Sequence, residues 1–144
     1  MFFGSYIHLL DEKNRLLIPS KFRGLVGSKL YILKGYDGCL SLYTFEDFEK
    51  YISHFQELRF EDKLARDVTR IALASVSELE VDKASRVQIP MALISKYSIS
   101  KEVVVVGMID HLEVWSKEVW EAYEKENESK FEEKQQTLLE KKNG

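Results

Sequence analysis

A fourteen-residue stretch occurs twice, and this duplication constrains the fold more than any other feature of the chain. Leu10–Arg23 is Leu-Asp-Glu-Lys-Asn-Arg-Leu-Leu-Ile-Pro-Ser-Lys-Phe-Arg, and Val81–Ile94 is Val-Asp-Lys-Ala-Ser-Arg-Val-Gln-Ile-Pro-Met-Ala-Leu-Ile. Each copy keeps Asp, then Arg four residues on, then an apolar residue, then Ile-Pro and an apolar residue three positions after the Pro. The only two prolines, Pro19 and Pro90, occupy the same place in this frame. The correspondence continues: Leu40–Thr44 with Phe48 and Tyr51 aligns to Leu112–Ser116 with Trp120 and Tyr123, the offset moving from 71 to 72. Two copies of this length are too few and too long for a solenoid, whose units run to roughly 20–50 residues, so the chain reads as a duplicated small domain. At 144 residues, the two halves are expected to share one core.

Turn chemistry sets the local structure. Tyr6 to Leu10 and Arg15 to Ile18 have the pattern of two short strands joined as a hairpin. Asp11 can accept hydrogen bonds from the backbone two residues on, and Asn14 tolerates the left-handed conformation that ends such a turn. In the second copy Asp82 keeps the first role, while Ser85 suits the second less well. Pro19 and Pro90 force the preceding Ile into extended conformation and can open a short helix, which Phe22 and Leu93 would anchor to the core. A second strand pair, Leu30–Leu33 with Cys39–Tyr43, is matched by Val103–Val106 with Leu112–Trp115. Thr44 and Ser116 then stand where helix N-caps belong, with Asp47 and Glu118 in the first turns. Phe45, Phe48, Ile52 and Phe55 predict a helix with one buried face, and Leu64, Val68 and Ile71 predict a helix bridging the halves. From Lys117 onward the chain is rich in Glu and Lys, without Pro, and predicts one long solvated helix packed through Trp120, Tyr123 and Phe131. The expected divisions are 1–58, a first repeat with its helix; 59–74, the bridge; 75–123, a second repeat; and 124–144, a charged helical tail.

Composition excludes several functions. Cys39 is the only cysteine, so the chain can form neither an internal disulfide nor a thiolate metal cage, and a buried structural thiol is expected. His8, His54 and His111 lack metal-ligand spacing, so no metal and no cofactor is expected. A thiol enzyme would need Cys39 with a histidine, and no local motif supports that pairing. No segment approaches the roughly 18 apolar residues of a membrane span, and the amino terminus lacks a basic region followed by a long apolar run, so a cytoplasmic protein with no membrane partner is expected. The net charge of −3 argues against a uniformly basic nucleic-acid binder but permits a local basic patch.

Asp11-Glu12-Lys13-Asn14-Arg15 with Ile18-Pro19-Ser20-Lys21-Phe22-Arg23, repeated as Asp82–Arg86 with Ile89-Pro90, resembles the MraZ family of bacterial transcriptional regulators. The resemblance takes in Phe3-Gly4, His8 ahead of Leu10-Asp11, and Val106-Gly107-Met108 followed by Val114–Lys117 and Trp120. It implies an α+β fold, mainly β with packed helices, in which duplicated AbrB-like looped-hinge half-barrels close one small β-barrel with a long C-terminal helix. It also implies ring-like homo-oligomers that bind tandem direct repeats of promoter DNA, at cell-division and cell-wall genes including their own, in the nucleoid. The implied DNA-binding residues are Lys13, Arg15, Lys83 and Arg86, on turns shaped by Asp11, Asn14, Asp82 and Ser85; no catalytic residue and no small-molecule substrate is implied. The family usually has Gly where this chain has Asn14 and Ser85, which bears on loop geometry. The alternatives are that Asp11 and Arg15 merely close a turn with an exposed ion pair, and that the chain is an oligomeric scaffold that does not bind DNA.

Overall fold

The computed structural model describes residues 1–143 and is an α+β structure. Its strands are β1 (Ser5–Leu9), β2 (Arg15–Leu17), β3 (Lys29–Lys34), β4 (Leu40–Tyr43), β5 (Ser77–Glu80), β6 (Arg86–Gln88), β7 (Glu102–Gly107) and β8 (Leu112–Ser116). Its helices are α1 (Phe45–Gln56), α2 (Lys63–Ala74), α3 (Met91–Lys96), α4 (Lys117–Ser129) and α5 (Phe131–Asn143), and a 3₁₀ turn covers Ser20–Phe22.

Six strands form one antiparallel sheet in the order β1-β7-β8-β4-β3-β5, and β2 pairs with β6 in a separate ribbon. Exchanging each strand for its repeat counterpart reverses the sheet order onto itself, so the halves are related by a pseudo-two-fold axis. The axis passes through the Ser41–Glu113 pair of β4 and β8 and the Leu16–Val87 pair of the ribbon. The hydrogen bonds show an open sheet with β1 and β5 at its edges and do not show closure into a barrel.

The expected hairpin of Tyr6–Leu10 with Arg15–Ile18 is not formed. The turn closes, with the Asp11 N–H donating to the Arg15 carbonyl at 3.1 Å, but the strands then part. β1 pairs with β7 and β2 with β6, each partner coming from the other repeat. A three-residue strand has few hydrogen bonds to offer, and it satisfies them on whichever edge the core brings near. Leu33 pairing with Ser41 and Val105 with Val114 show the other two strand pairs as expected.

Alternation along the strands divides the sheet into two faces. The inner face and the ribbon enclose Leu16, Ile18, Leu30, Ile32, Leu40, Leu42, Val87, Ile89, Val103, Val105, Leu112 and Val114, with Phe22 and Leu93 anchoring the short helical segments. Pro19 and Pro90 stand one residue ahead of those segments, at the capping position. The outer face carries aromatic layers: Phe48 stacks on Tyr31 at 4.6 Å and Tyr51 on Tyr43 at 5.1 Å, while Trp120 and Tyr123 pack on Trp115. No residue of α1 is fully buried, because the helix lies over this outer layer with solvent at its back. Leu64, Val68 and Ile71 of α2 are at least half exposed. The expected single C-terminal helix is two, interrupted at Lys130 (φ −113°, ψ 11°), and Phe131 is 61% exposed. Thr44 caps α1 through its side chain, accepting from the Asp47 N–H. Ser116 precedes α4 but its hydroxyl donates to the Ser98 carbonyl and accepts from the Ser100 N–H instead.

Candidate nucleic-acid interface

The two Asp-x-x-x-Arg turns have nearly superimposable chemistry. In the first, Asp11 Oδ1 accepts from the backbone N–H groups of Lys13 (2.9 Å) and Arg15 (2.8 Å), and Oδ2 accepts from Arg15 Nε at 2.6 Å. In the second, Asp82 Oδ1 accepts from Ala84 and Arg86 N–H, each at 2.9 Å, and Oδ2 accepts from Arg86 Nε at 3.0 Å. A carboxylate receiving several N–H groups is favoured in its charged form. The Arg15 backbone N–H foremost, and then its guanidinium, hold the Asp11 pKa below the usual carboxylate range against the opposing effect of burial, and Arg86 does the same for Asp82.

Both turns need a left-handed residue where the chain reverses. Asn14 has φ 57° and Ser85 φ 62°, so the loop geometry survives the absence of glycine at both positions. Asn adopts this conformation routinely, whereas Ser does so with strain.

The ribbon holds the turns side by side. The Ile18 N–H donates to the Ser85 carbonyl (2.8 Å), the Ile89 N–H to the Asn14 carbonyl (2.9 Å), and Gln88 Nε2 to the Lys13 carbonyl (3.0 Å). Arg86 Nη1 lies 4.0 Å from Asp11 Oδ2, linking the pairs into a four-residue charge cluster. The Arg15 and Arg86 side chains are 30% and 35% exposed, and Lys13 and Lys83 are exposed. Each Asp engages its own Arg through Nε. The terminal nitrogens of Arg15 have no hydrogen-bond partner among the described residues. The ion pair closes the turn, and it also orients a guanidinium whose outer edge is free for an anionic or hydrogen-bond-accepting partner.

Lys101 was not singled out from the sequence. Its Nζ donates to the Asp11 carbonyl (3.1 Å) and to Asn14 Oδ1 (3.0 Å), adding a third cation beside the four-residue cluster and bracing the first turn. Lys101 precedes β7 and lies 87 residues along the chain from Asn14 of the first copy, whose turn it braces. No spacing rule points to it, and the second turn has no matching lysine contact among the described residues.

A different cluster lies on the outer face, at the base of a cavity of about 810 Å³ between α1, α2 and the sheet. Glu113 Oε1 accepts from Trp115 Nε1 at 3.1 Å, His111 Nδ1 lies 2.7 Å from Asp110 Oδ1, and Tyr43 stacks on His111. Burial lowers the His111 pKa, but the carboxylates of Glu113 and Asp110 outweigh it and the net shift is upward. Cys39 is buried, and burial pushes its thiol far up, which keeps it protonated and poorly nucleophilic. No group of three metal-ligating side chains occurs among the described residues, and none of their helices is long and apolar enough to cross a membrane.

These features define a duplicated α+β protein whose two repeats interleave to set a pair of Asp–Arg turns against each other. The family model described as MraZ protein matches twice, over residues 1–71 and 72–142, and the chain belongs to the MraZ family. It is similar to proteins named "Transcriptional regulator MraZ" from Mesoplasma florum, at 39% identity over 96% of this chain and 95% of the relative. The corresponding protein of Thermoanaerobacter pseudethanolicus is 40% identical over 92% and 93%, and that of Ureaplasma parvum serovar 3 is 35% identical over 96% and 97%.

Proposed function

We propose that this chain is a sequence-specific DNA-binding transcriptional regulator. In this reading it acts as a ring-like homo-oligomer on tandem direct repeats in a promoter, in the nucleoid and without catalytic activity. The relatives' names support the class. The observation that carries the reading is the juxtaposition of the two Asp–Arg turns, which gathers Lys13, Arg15, Lys83, Arg86 and Lys101 on one surface of an otherwise acidic chain. Arg15 and Arg86 can contact phosphate or the guanine edge bidentately, and Lys13 and Lys83 serve phosphates as point charges. Asp11, Asn14, Asp82 and Ser85 shape the turns.

Five cations in one subunit neutralise few phosphates, and such an interface is weak at cellular salt. Several subunits therefore engage together, which multiplies the patch. The Glu-rich helix α4, with five glutamates against two lysines, repels DNA from the outer face of the sheet that it covers. The two repeats act as half-barrels sharing one core, with 59–74 between them and 124–144 as an appended tail. The target is the gene cluster for cell division and cell-wall synthesis that includes the protein's own gene.

Subunits arranged head to tail present their turns in the same sense, so the boxes are direct repeats spaced by about one helical turn, roughly 10 base pairs. Footprinting upstream of the protein's own gene tests the target. Inserting about 5 base pairs between boxes rotates one of them to the far side of the duplex. Affinity should then fall steeply, and equal affinity for a single isolated box would refute coupled binding. An unshifted promoter fragment would favour the scaffold reading instead.

A further inference from the structure

The cavity of about 810 Å³ between α1, α2 and the sheet takes no part in the paired turns, which belong to the ribbon on the inner face. Its size suits a small organic ligand, since such pockets run to roughly 300–1,000 Å³. One wall is a continuous run of rings: His111 stacks on Tyr43 at 4.7 Å, Tyr43 stacks on Tyr51 at 5.1 Å, and Tyr51 meets Phe55 edge-on at 5.1 Å. Helix α2 supplies an aliphatic wall through Val68, Ile71 and Ala72.

The floor is polar, and part of its hydrogen-bonding capacity is unused. Ser41 pairs with Glu113 across β4 and β8, and Tyr43 and His111 lie two residues from them on the same face. Ser41, Tyr43 and Glu113 are 6%, 7% and 9% exposed, and all three line the cavity. The hydroxyls of Ser41 and Tyr43 make no hydrogen bond among the described residues, yet neither is sealed off, so both open onto the cavity. Glu113 Oε1 is taken by the Trp115 indole, whereas Oε2 lies 3.9 Å from His111 Nε2, beyond hydrogen-bonding distance. The second repeat shows the satisfied version of this arrangement. Trp115 stands where the first repeat has Tyr43, and Glu113, at the position of Ser41, meets its N–H at 3.1 Å. Ser41 gives Tyr43 no such partner. Asp110 and Glu113 flank the one imidazole of His111, at 2.7 and 3.9 Å, so the floor stays net negative in either protonation state of His111. Along the rest of the lining Lys34 and Asp67 are opposite in sign, Asp67 also pairing with Lys63 at 2.9 Å.

We propose that this cavity binds a small organic amine, a primary ammonium carried on a flat aromatic body. An ammonium has three N–H donors and no acceptor, which matches the acceptors left on Glu113, Ser41 and Tyr43. The aromatic body lies between the rings of Tyr43, Tyr51 and Phe55 and the aliphatic wall of α2, and those rings also favour a nearby cation. The site is separate from the DNA-binding turns and does not rest on the proposed function.

The test is isothermal titration calorimetry of the full chain with three probes that share an indole ring: cationic tryptamine, neutral tryptophol and anionic indolepropionate. Tryptamine should bind at least about tenfold more tightly than tryptophol, as a charge-assisted hydrogen bond exceeds a neutral one, and indolepropionate should bind least. Glu113→Gln keeps an acceptor for Trp115 and should bring tryptamine down to the affinity of tryptophol. Tyr43→Phe removes only the hydroxyl and should weaken tryptamine. Val68→Trp extends an indole from α2 into the cavity and should abolish binding of both. Equal affinity for the three probes, preference for indolepropionate, or full binding by Val68→Trp would overturn the proposal. So would a wild type that binds none of them, as it would if a neighbouring copy of the chain filled the cavity. Loss of DNA binding with tryptamine binding intact would bear only on the turns. Circular dichroism checks folding, and should Glu113→Gln fail to fold, Tyr43→Phe and Val68→Trp carry the same decision.

Discussion

Replacing Arg15 and Arg86 together by Ala removes two of the five cations gathered at the paired turns and leaves the core untouched. Each phosphate contact contributes about 0.9 to the slope of log affinity against log salt. If both arginines contact phosphate, the double variant should lose about 1.8 from that slope for every engaged subunit. Between 50 and 200 mM salt, the fourfold change in concentration then makes the wild type lose about tenfold more affinity per engaged subunit than the variant does. Two boxes bound together would double the slope difference to about 3.6. The assay is fluorescence anisotropy with a labelled two-box duplex over a series of salt concentrations, with thermal unfolding measured in parallel. An unchanged slope with unchanged affinity would refute the assignment of the turns as the DNA surface. A large fall in Tm would show instead that the arginines chiefly close the turns.

Ser85→Gly should raise stability, because Ser85 sits at φ 62° at a cost of about 1 kcal/mol that exceeds the extra chain entropy of glycine; a lower Tm in differential scanning calorimetry would contradict this. Gly107→Ala should lower stability by about 1–3 kcal/mol, since a Cβ at Gly107 would run into the Phe3 backbone, and the loss is read from the urea midpoint. The depressed pKa values of Asp11 and Asp82 give their turns stability that is present above the ordinary carboxyl pKa, about 3.9, and is lost as pH falls through the lower folded values. The Tm difference between wild type and Asp11→Asn/Asp82→Asn should therefore be full at neutral pH and shrink in strong acid, and a difference independent of pH would refute the mechanism.

The sequence by itself determined what short-range chemistry controls. The duplication announced two copies of one element, and Asp11 with Asn14 and Asp82 with Ser85 specified the same turn twice, because an Asx hydrogen bond and a left-handed residue are satisfied within five positions. The alternation at Leu30 and Ile32 and at Val103 and Val105 likewise marked the inner face. Only the tertiary structure decided which strands pair. The Asp11–Arg15 turn closes identically whether β1 returns along β2 or departs for β7, so no local signal separates a hairpin from an interleaved pair of repeats. That choice is made by the shared core, which draws β2 and β6 together across the pseudo-two-fold axis at Leu16 and Val87. The same long-range closure brings Lys101 to Asn14 and Arg86 to within 4.0 Å of Asp11. It also leaves Ile7 and Leu9 of β1 and Leu64 of α2 exposed.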